Sequence, residues 1–133
     1  MTEANACECS AAPTPIFACS GAADVGEITD LAARELTRDG IGKMFCLAGV
    51  EGRVSGILQE TKAAERIPAL DGCPLDCVRL TLELAETPDS VHVCVTDLGM
   101  QKGETPATPE AVRKVTERAA SLLEGNGKED NER

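Results

Sequence analysis

Apolar residues in this chain gather into four short runs, and each run is followed by a stretch in which they recur every three or four positions. The runs Ile16-Phe17-Ala18, Lys43-Met44-Phe45-Cys46-Leu47, Ile67-Pro68-Ala69-Leu70 and Val91-His92-Val93-Cys94-Val95 have the length and composition of buried strands. The first helical stretch starts near Asp24, where Asp24 and Glu27 have the spacing of a capping pair. It carries Val25, Ile28, Leu31, Ala32 and Leu36 along one face until Gly40. The second is predicted over about residues 53–66 and the third over about 74–86, with Pro74 in a first turn where its missing N–H would be unpaired in any case. A fourth begins at Thr108-Pro109-Glu110 and continues through Ala111, Val115, Ala119 and Leu122 to Gly125.

Repeated strand-helix units with short links imply parallel strands joined by right-handed crossovers. The predicted class is α/β: a three-layer α/β/α domain, Rossmann-like or flavodoxin-like, with a mainly parallel sheet of about four strands. It is expected to span residues 14–124. Residues 1–13, small and polar and ending in Pro13, read as a flexible arm, and residues 125–133 as a disordered tail.

Composition narrows the function. The 133 residues include 23 acidic against 13 basic side chains, a formal net charge of -10, and no basic cluster interrupts the surplus, which argues against a nucleic-acid partner. Phe17 and Phe45 are the only aromatic residues, so the core must be aliphatic and no platform exists for stacking a base. The start Met1-Thr2-Glu3 lacks the basic and apolar segments of a signal peptide, and no run is long enough to span a membrane. The expected location is therefore the cytoplasm. In a reducing compartment seven cysteines read as metal ligands, reactive thiols or small buried residues before they read as disulfides.

Four of them have matched positions. Cys19 follows the first predicted strand, Cys46 ends the second and Cys73 follows the third, at successive steps of 27 residues. Because parallel strands point the same way, these positions reach one edge of the sheet, the edge at which open α/β folds bind ligands. Cys77 follows Cys73 by four residues, a spacing used in zinc sites and one that places both on a single helical face. Glycines at Gly21, Gly49 and Gly72, together with helix N-termini, are expected to bring backbone N–H groups close to sulfur and offset thiolate charge.

The segments Ala18-Cys19-Ser20-Gly21-Ala22-Ala23-Asp24-Val25-Gly26-Glu27-Ile28, Met44-Phe45-Cys46-Leu47-Ala48-Gly49-Val50 and Leu70-Asp71-Gly72-Cys73-Pro74-Leu75-Asp76-Cys77 resemble those of DGC-domain proteins, over roughly residues 14–124. The resemblance implies zinc chelation by four cysteines, here Cys19, Cys46, Cys73 and Cys77. It implies no particular reaction.

Other residues admit two readings each. Cys7 and Cys9 are incidental thiols of the arm or exchange ligands that reach back to the site. His92 and Cys94 lie in the fourth strand, upstream of the active edge, and are expected in the core rather than as ligands. Thr96 and Asp97 lie nearer that edge, with Asp97 read mainly as a turn residue. Asp71 and Asp76 flank the Cys73/Cys77 pair as helix caps, as acceptors supporting ligands, or as a general base.

Two functions follow. In the first, Zn2+ is held for metal handling, sensing or stability, without catalysis, since four thiolates leave no open position for water. In the alternative, Cys19 is the nucleophile of a thiol or persulfide redox or sulfur-transfer enzyme. An iron-sulfur cluster would use the same ligands. A phosphatase-type C-x5-R loop is excluded because Val25 stands where the arginine would be. The domain is large enough to fold without metal, and its protein partners are unspecified.

Overall fold

The computed structural model describes residues 14–125; the expectations for the arm with Cys7 and Cys9, and for the tail beyond Gly125, lie outside the described residues. Strand β1 (Pro15–Ala18) leads to helix α1 (Asp24–Arg38), β2 (Lys43–Met44), α2 (Leu47–Glu51), α3 (Ser55–Ala63), β3 (Pro68–Asp71), α4 (Cys77–Leu84), β4 (Val91–Cys94), a 3-10 turn (Val95–Leu98) and α5 (Pro109–Leu123). The sheet is parallel throughout, in the order β2-β1-β3-β4. After β1 the chain moves outward to β2, then returns past β1 to β3. That reversal makes the C-terminal ends of β1 and β3 the topological switch point, where such folds open a crevice.

The expected aliphatic core forms on both faces of the sheet. On one side Ile28, Ala32 and Leu36 of α1 and Val115, Ala119 and Leu122 of α5 pack with Ile16, Leu70 and Val93. On the other, Val50 of α2 and Val78 and Leu82 of α4 cover Phe17, Ile67 and Ala69. Phe17 and Phe45 meet edge to face, their ring centroids 6.0 Å apart. No helix among the described residues is long and apolar enough to cross a membrane.

Local chemistry explains most boundaries. Thr108 caps α5 by accepting from the Ala111 N–H at 3.2 Å, and Pro109 occupies the first helical position as expected. Two helices differ from the sequence pattern. In place of one helix over 53–66, α2 starts directly after the short β2, with Cys46 as its N-cap residue. It ends at Gly52, and Arg53 turns left-handed (φ 61°) before α3 begins. Helix α4 begins at Cys77 rather than Pro74, because Asp76 also adopts a left-handed conformation (φ 57°) that no helical turn can include.

Candidate metal centre

Cys19 continues the line of β1: its N–H donates to Leu70 O at 3.0 Å, so it sits at the mouth of the switch-point crevice. Its sulfur lies 3.5 Å from the Thr29 hydroxyl of α1. Thr29 donates to Gly26 O at 2.7 Å and accepts the Ser20 N–H at 3.2 Å, while Ser20 Oγ donates to Asp30 at 2.8 Å. These bonds hold Ser20 left-handed (φ 52°). Glycine is needed beneath this loop, since a Cβ on Gly26 would come within 2.5 Å of Gly21 O.

Cys73 is carried by the turn after β3. Gly72 presses so closely on α1 that a Cβ there would meet the Val25 backbone at 3.0 Å. The Cys73 sulfur accepts a hydrogen bond from Lys102 Nζ at 3.5 Å. Cys73 is not on the helix, so the expected one-turn helical pair with Cys77 is replaced by a turn, Asp76 N–H to Cys73 O at 3.2 Å, leading to Cys77 as the first residue of α4. Partial desolvation holds the Cys77 thiol above its ordinary pKa, reinforced by the Asp71 carboxylate and the Cys19 and Cys73 thiols; Lys102 acts the other way.

Cys46, exposed like Cys77, follows the edge strand and shares a groove with Cys19 and Ser20 beside β2. The fold thus carries all four cysteines to the C-terminal edge of the sheet. Their sulfurs do not form a set of three within 4.8 Å, the separation at which donor atoms of Asp71, Asp76 and His92 are grouped. Tetrahedral zinc needs sulfurs at ~2.3 Å from the ion, so ligation by all four requires the cysteine side chains to draw together.

The Asp71, Asp76 and His92 group is the main feature that sequence reasoning missed. Asp71 is buried, and its carboxylate accepts the Val78 N–H at 2.7 Å and the Arg79 N–H at 3.1 Å, capping α4 from the end of β3. His92 Nε2 lies 2.9 Å from Asp71 Oδ2 and 3.5 Å from Asp76 Oδ1. Arg79 in turn bridges Asp76 and Glu83, both at 2.8 Å. The carboxylates are already matched by backbone N–H groups, imidazole and guanidinium, so the group is a network that sets the start of α4 and the direction of Cys77. His92 is mostly buried, as expected, but it is hydrogen-bonded to the helix cap and not an inert core residue. Cys94 is buried, 3.3 Å from Thr96 Oγ1, and Asp97 lies in the 3-10 turn closed by Gly99.

The expected donation of helix N-terminal N–H groups to sulfur gives way to donation to carboxylates. Asp71 takes those of α4. Asp24 takes the Val25 N–H at 2.7 Å and, instead of pairing with Glu27, also accepts from Gly103 N at 2.8 Å and Thr105 N at 2.9 Å. The Gly103 bond, followed by that to Thr105, lowers the Asp24 pKa below its ordinary 3.8. Pinned in this way, the loop after β4 brings Lys102 to Cys73. No local sequence signal marks this contact, which spans 29 residues.

The sequence profile of the DGC domain matches residues 15–119. The chain is 34% identical over 116 residues to the anaerobic and virulence modulator AnvM of Pseudomonas aeruginosa, covering 85% of this chain and 88% of that protein. No solved structure matches it. The Asp71-Gly72-Cys73 turn at the switch point, the matched cysteine positions and these similarities lead to one assignment: the chain belongs to the DGC-domain family.

Proposed function

We propose that this protein binds zinc through Cys19, Cys46, Cys73 and Cys77, and that the site serves metal handling, sensing or stability in the cytoplasm. The observation that carries the reading is topological: four soft donors follow the C-terminal ends of three parallel strands, Cys19 and Cys73 at the switch point, Cys77 at the start of α4 and Cys46 beyond the edge strand β2. Four thiols fit the preference of zinc for sulfur, and the Lys102 ammonium beside Cys73 offsets part of the negative charge that four thiolates would bring. Bound zinc would tie three separate segments together, those after β1, β2 and β3. The chain's own residues do the positioning: Thr29 orients Cys19, Asp71 and His92 fix the helix start at Cys77, and Asp24 holds the loop of Lys102.

The name of the Pseudomonas aeruginosa relative describes a modulator and states no reaction. A thiolate centre that responds to oxidant or metal supply suits a modulatory role. A second reading, Cys19 as a thiol nucleophile in redox or sulfur-transfer chemistry, is favoured by the opening of Cys19 on a groove of small-molecule size.

Metal analysis of the full-length protein, with a spectrum of its cobalt-substituted form, tests the first reading. The expected result is about one zinc per chain, intense thiolate-to-cobalt absorption of tetrahedral type, and metal loss in Cys73→Ser. Metal-free protein in which serine variants of all four cysteines match the wild type would overturn it. Selective alkylation of Cys19 in zinc-loaded protein would favour the second reading.

A further inference from the structure

The groove shared by Cys19 and Cys46 extends well beyond the thiols. It runs beside the edge strand β2 with a volume of about 930 Å³, within the range of sites that enclose small organic molecules. Ala18, Met44, Phe45 and Leu47 give it an apolar surface. Its polar wall is α1, which contributes Arg34 and Arg38, four residues apart and therefore neighbours on one helical face. In a chain of net charge -10, two guanidinium groups stand on the wall of one apolar groove, each beside a carboxylate of its own helix, Asp30 or Glu35.

Their existing contacts leave donor capacity. Arg34 Nε meets Asp30 at 2.7 Å, and Arg38 approaches Glu35 only at 3.9 Å, whereas each guanidinium has five N–H donors. Thr37, between them, donates to Ala33 O at 2.9 Å and accepts the Met44 N–H at 2.9 Å, so its hydroxyl is committed to joining α1 to β2. The acid on the lining is Glu51, on α2. Two arginines beside a continuous apolar surface, with Glu51 also on the lining, suit a singly charged anion with an apolar body better than a multiply charged polar one.

We propose that this groove binds a small amphipathic organic anion, a single carboxylate or sulfonate group on an apolar body, with the anionic group on Arg34 and Arg38 and the apolar body along Met44, Phe45 and Leu47. The far end of such a molecule faces Cys19 and Cys46. The anion site rests on α1 and β2 and does not require metal. Because the two sites share residues, each ligand alters the affinity for the other.

A matched pair of fluorescent probes tests this on the full-length chain: 8-anilinonaphthalene-1-sulfonate, an apolar body with one anionic group, and N-phenyl-1-naphthylamine, the same skeleton without it. The expected result is saturable binding of the anion near one per chain, at least about tenfold tighter than the neutral probe. Arg34→Gln with Arg38→Gln should weaken the anion about tenfold and leave the neutral probe unchanged. Ala48→Trp, which fills the groove from its lining, should weaken both, and circular dichroism should show each variant folded. Equal binding of the two probes, or an arginine double variant that binds the anion as wild type does, overturns the proposal. Repeating the titration after chelation separates the two sites. Anion binding should persist; its loss on metal removal would place the probe on the metal and overturn the groove assignment without touching the zinc reading.

Discussion

The two halves of the thiol site are held in very different ways. On the β3-α4 side, Cys77 starts a helix whose first N–H groups are anchored to a buried carboxylate, and Cys73 follows a glycine pressed against α1 and lies under Lys102. On the β2 side, Cys46 follows a two-residue strand, precedes a five-residue helix without a side-chain cap, and faces solvent. Cys19 belongs to both, bonded through its backbone to β3 and opening on the groove with Cys46. The contrast is one of backbone anchoring, since in both halves the thiol side chains would still have to move to meet one ion. Hydrogen bonds and close backbone contacts anchor the backbone at Cys19, Cys73 and Cys77, whereas Cys46 lies between a two-residue strand and a five-residue helix; under the proposed zinc reading it is the thiol suited to exchange.

The largest effect should come from breaking the anchored half. Asp71→Ala removes the acceptor of two backbone N–H groups and of His92 at once, and should cost about 3–5 kcal/mol of folding stability in urea denaturation. Asp71→Asn, which keeps the shape and one acceptor oxygen, should cost less than half as much. A result near zero for Asp71→Ala would mean that α4 does not depend on its cap. Gly26→Ala comes next, at about 1–3 kcal/mol, because the new methyl group meets the Gly21 backbone and not a movable side chain. The same denaturation series reads it, and unchanged stability would remove the close contact from the account.

A smaller effect separates the halves directly. In zinc competition with a chelator, Cys46→Ser should retain about tenfold more affinity than Cys73→Ser, a difference of about 1.4 kcal/mol, because the anchored trio survives only in the former. Equal losses would erase the distinction between the halves. The smallest effect is local and pH-dependent. Since the folded-state pKa of Asp24 is depressed by the Gly103 and Thr105 N–H groups, its hold on the Lys102 loop is complete above pH 3.8 and fades as pH falls through the depressed value. Amide exchange at Gly103 and Thr105 should accelerate relative to α1 amides across that window; uniform behaviour would show that another contact holds the loop.

The strand-helix alternation, the parallel sheet, the aliphatic core and the arrival of four cysteines at one edge were all legible in the sequence, because each depends on local period and on repeat length. Pro109 and Thr108 marked α5 for the same reason. What escaped was set by distant partners. Helix capping is among the readings of Asp71, but the helix it caps starts at Cys77 and not at Pro74, because Asp76 breaks the turn between them. His92 looks like a core residue until β4 is placed beside β3, in the register that pairs Asp71 with Cys94 and leaves His92 diagonal to Asp71 on the same face. Asp24 and Glu27 match a capping pattern, but the loop that claims Asp24 lies 79 residues on. The split of α2 from α3 went unseen because Gly49, read only as giving backbone N–H groups access to sulfur, lies within α2 and packs against Ile57 of α3.

The order of the elements also bears on how each molecule is made. All four cysteines of the candidate site precede residue 78, whereas α5, which covers the α1 face of the sheet, comes from residues 109–123. During synthesis the complete set of thiols therefore leaves the ribosome before the helix that closes the core around α1. The thiols are thus all present in the chain before the frame that orients them can be finished.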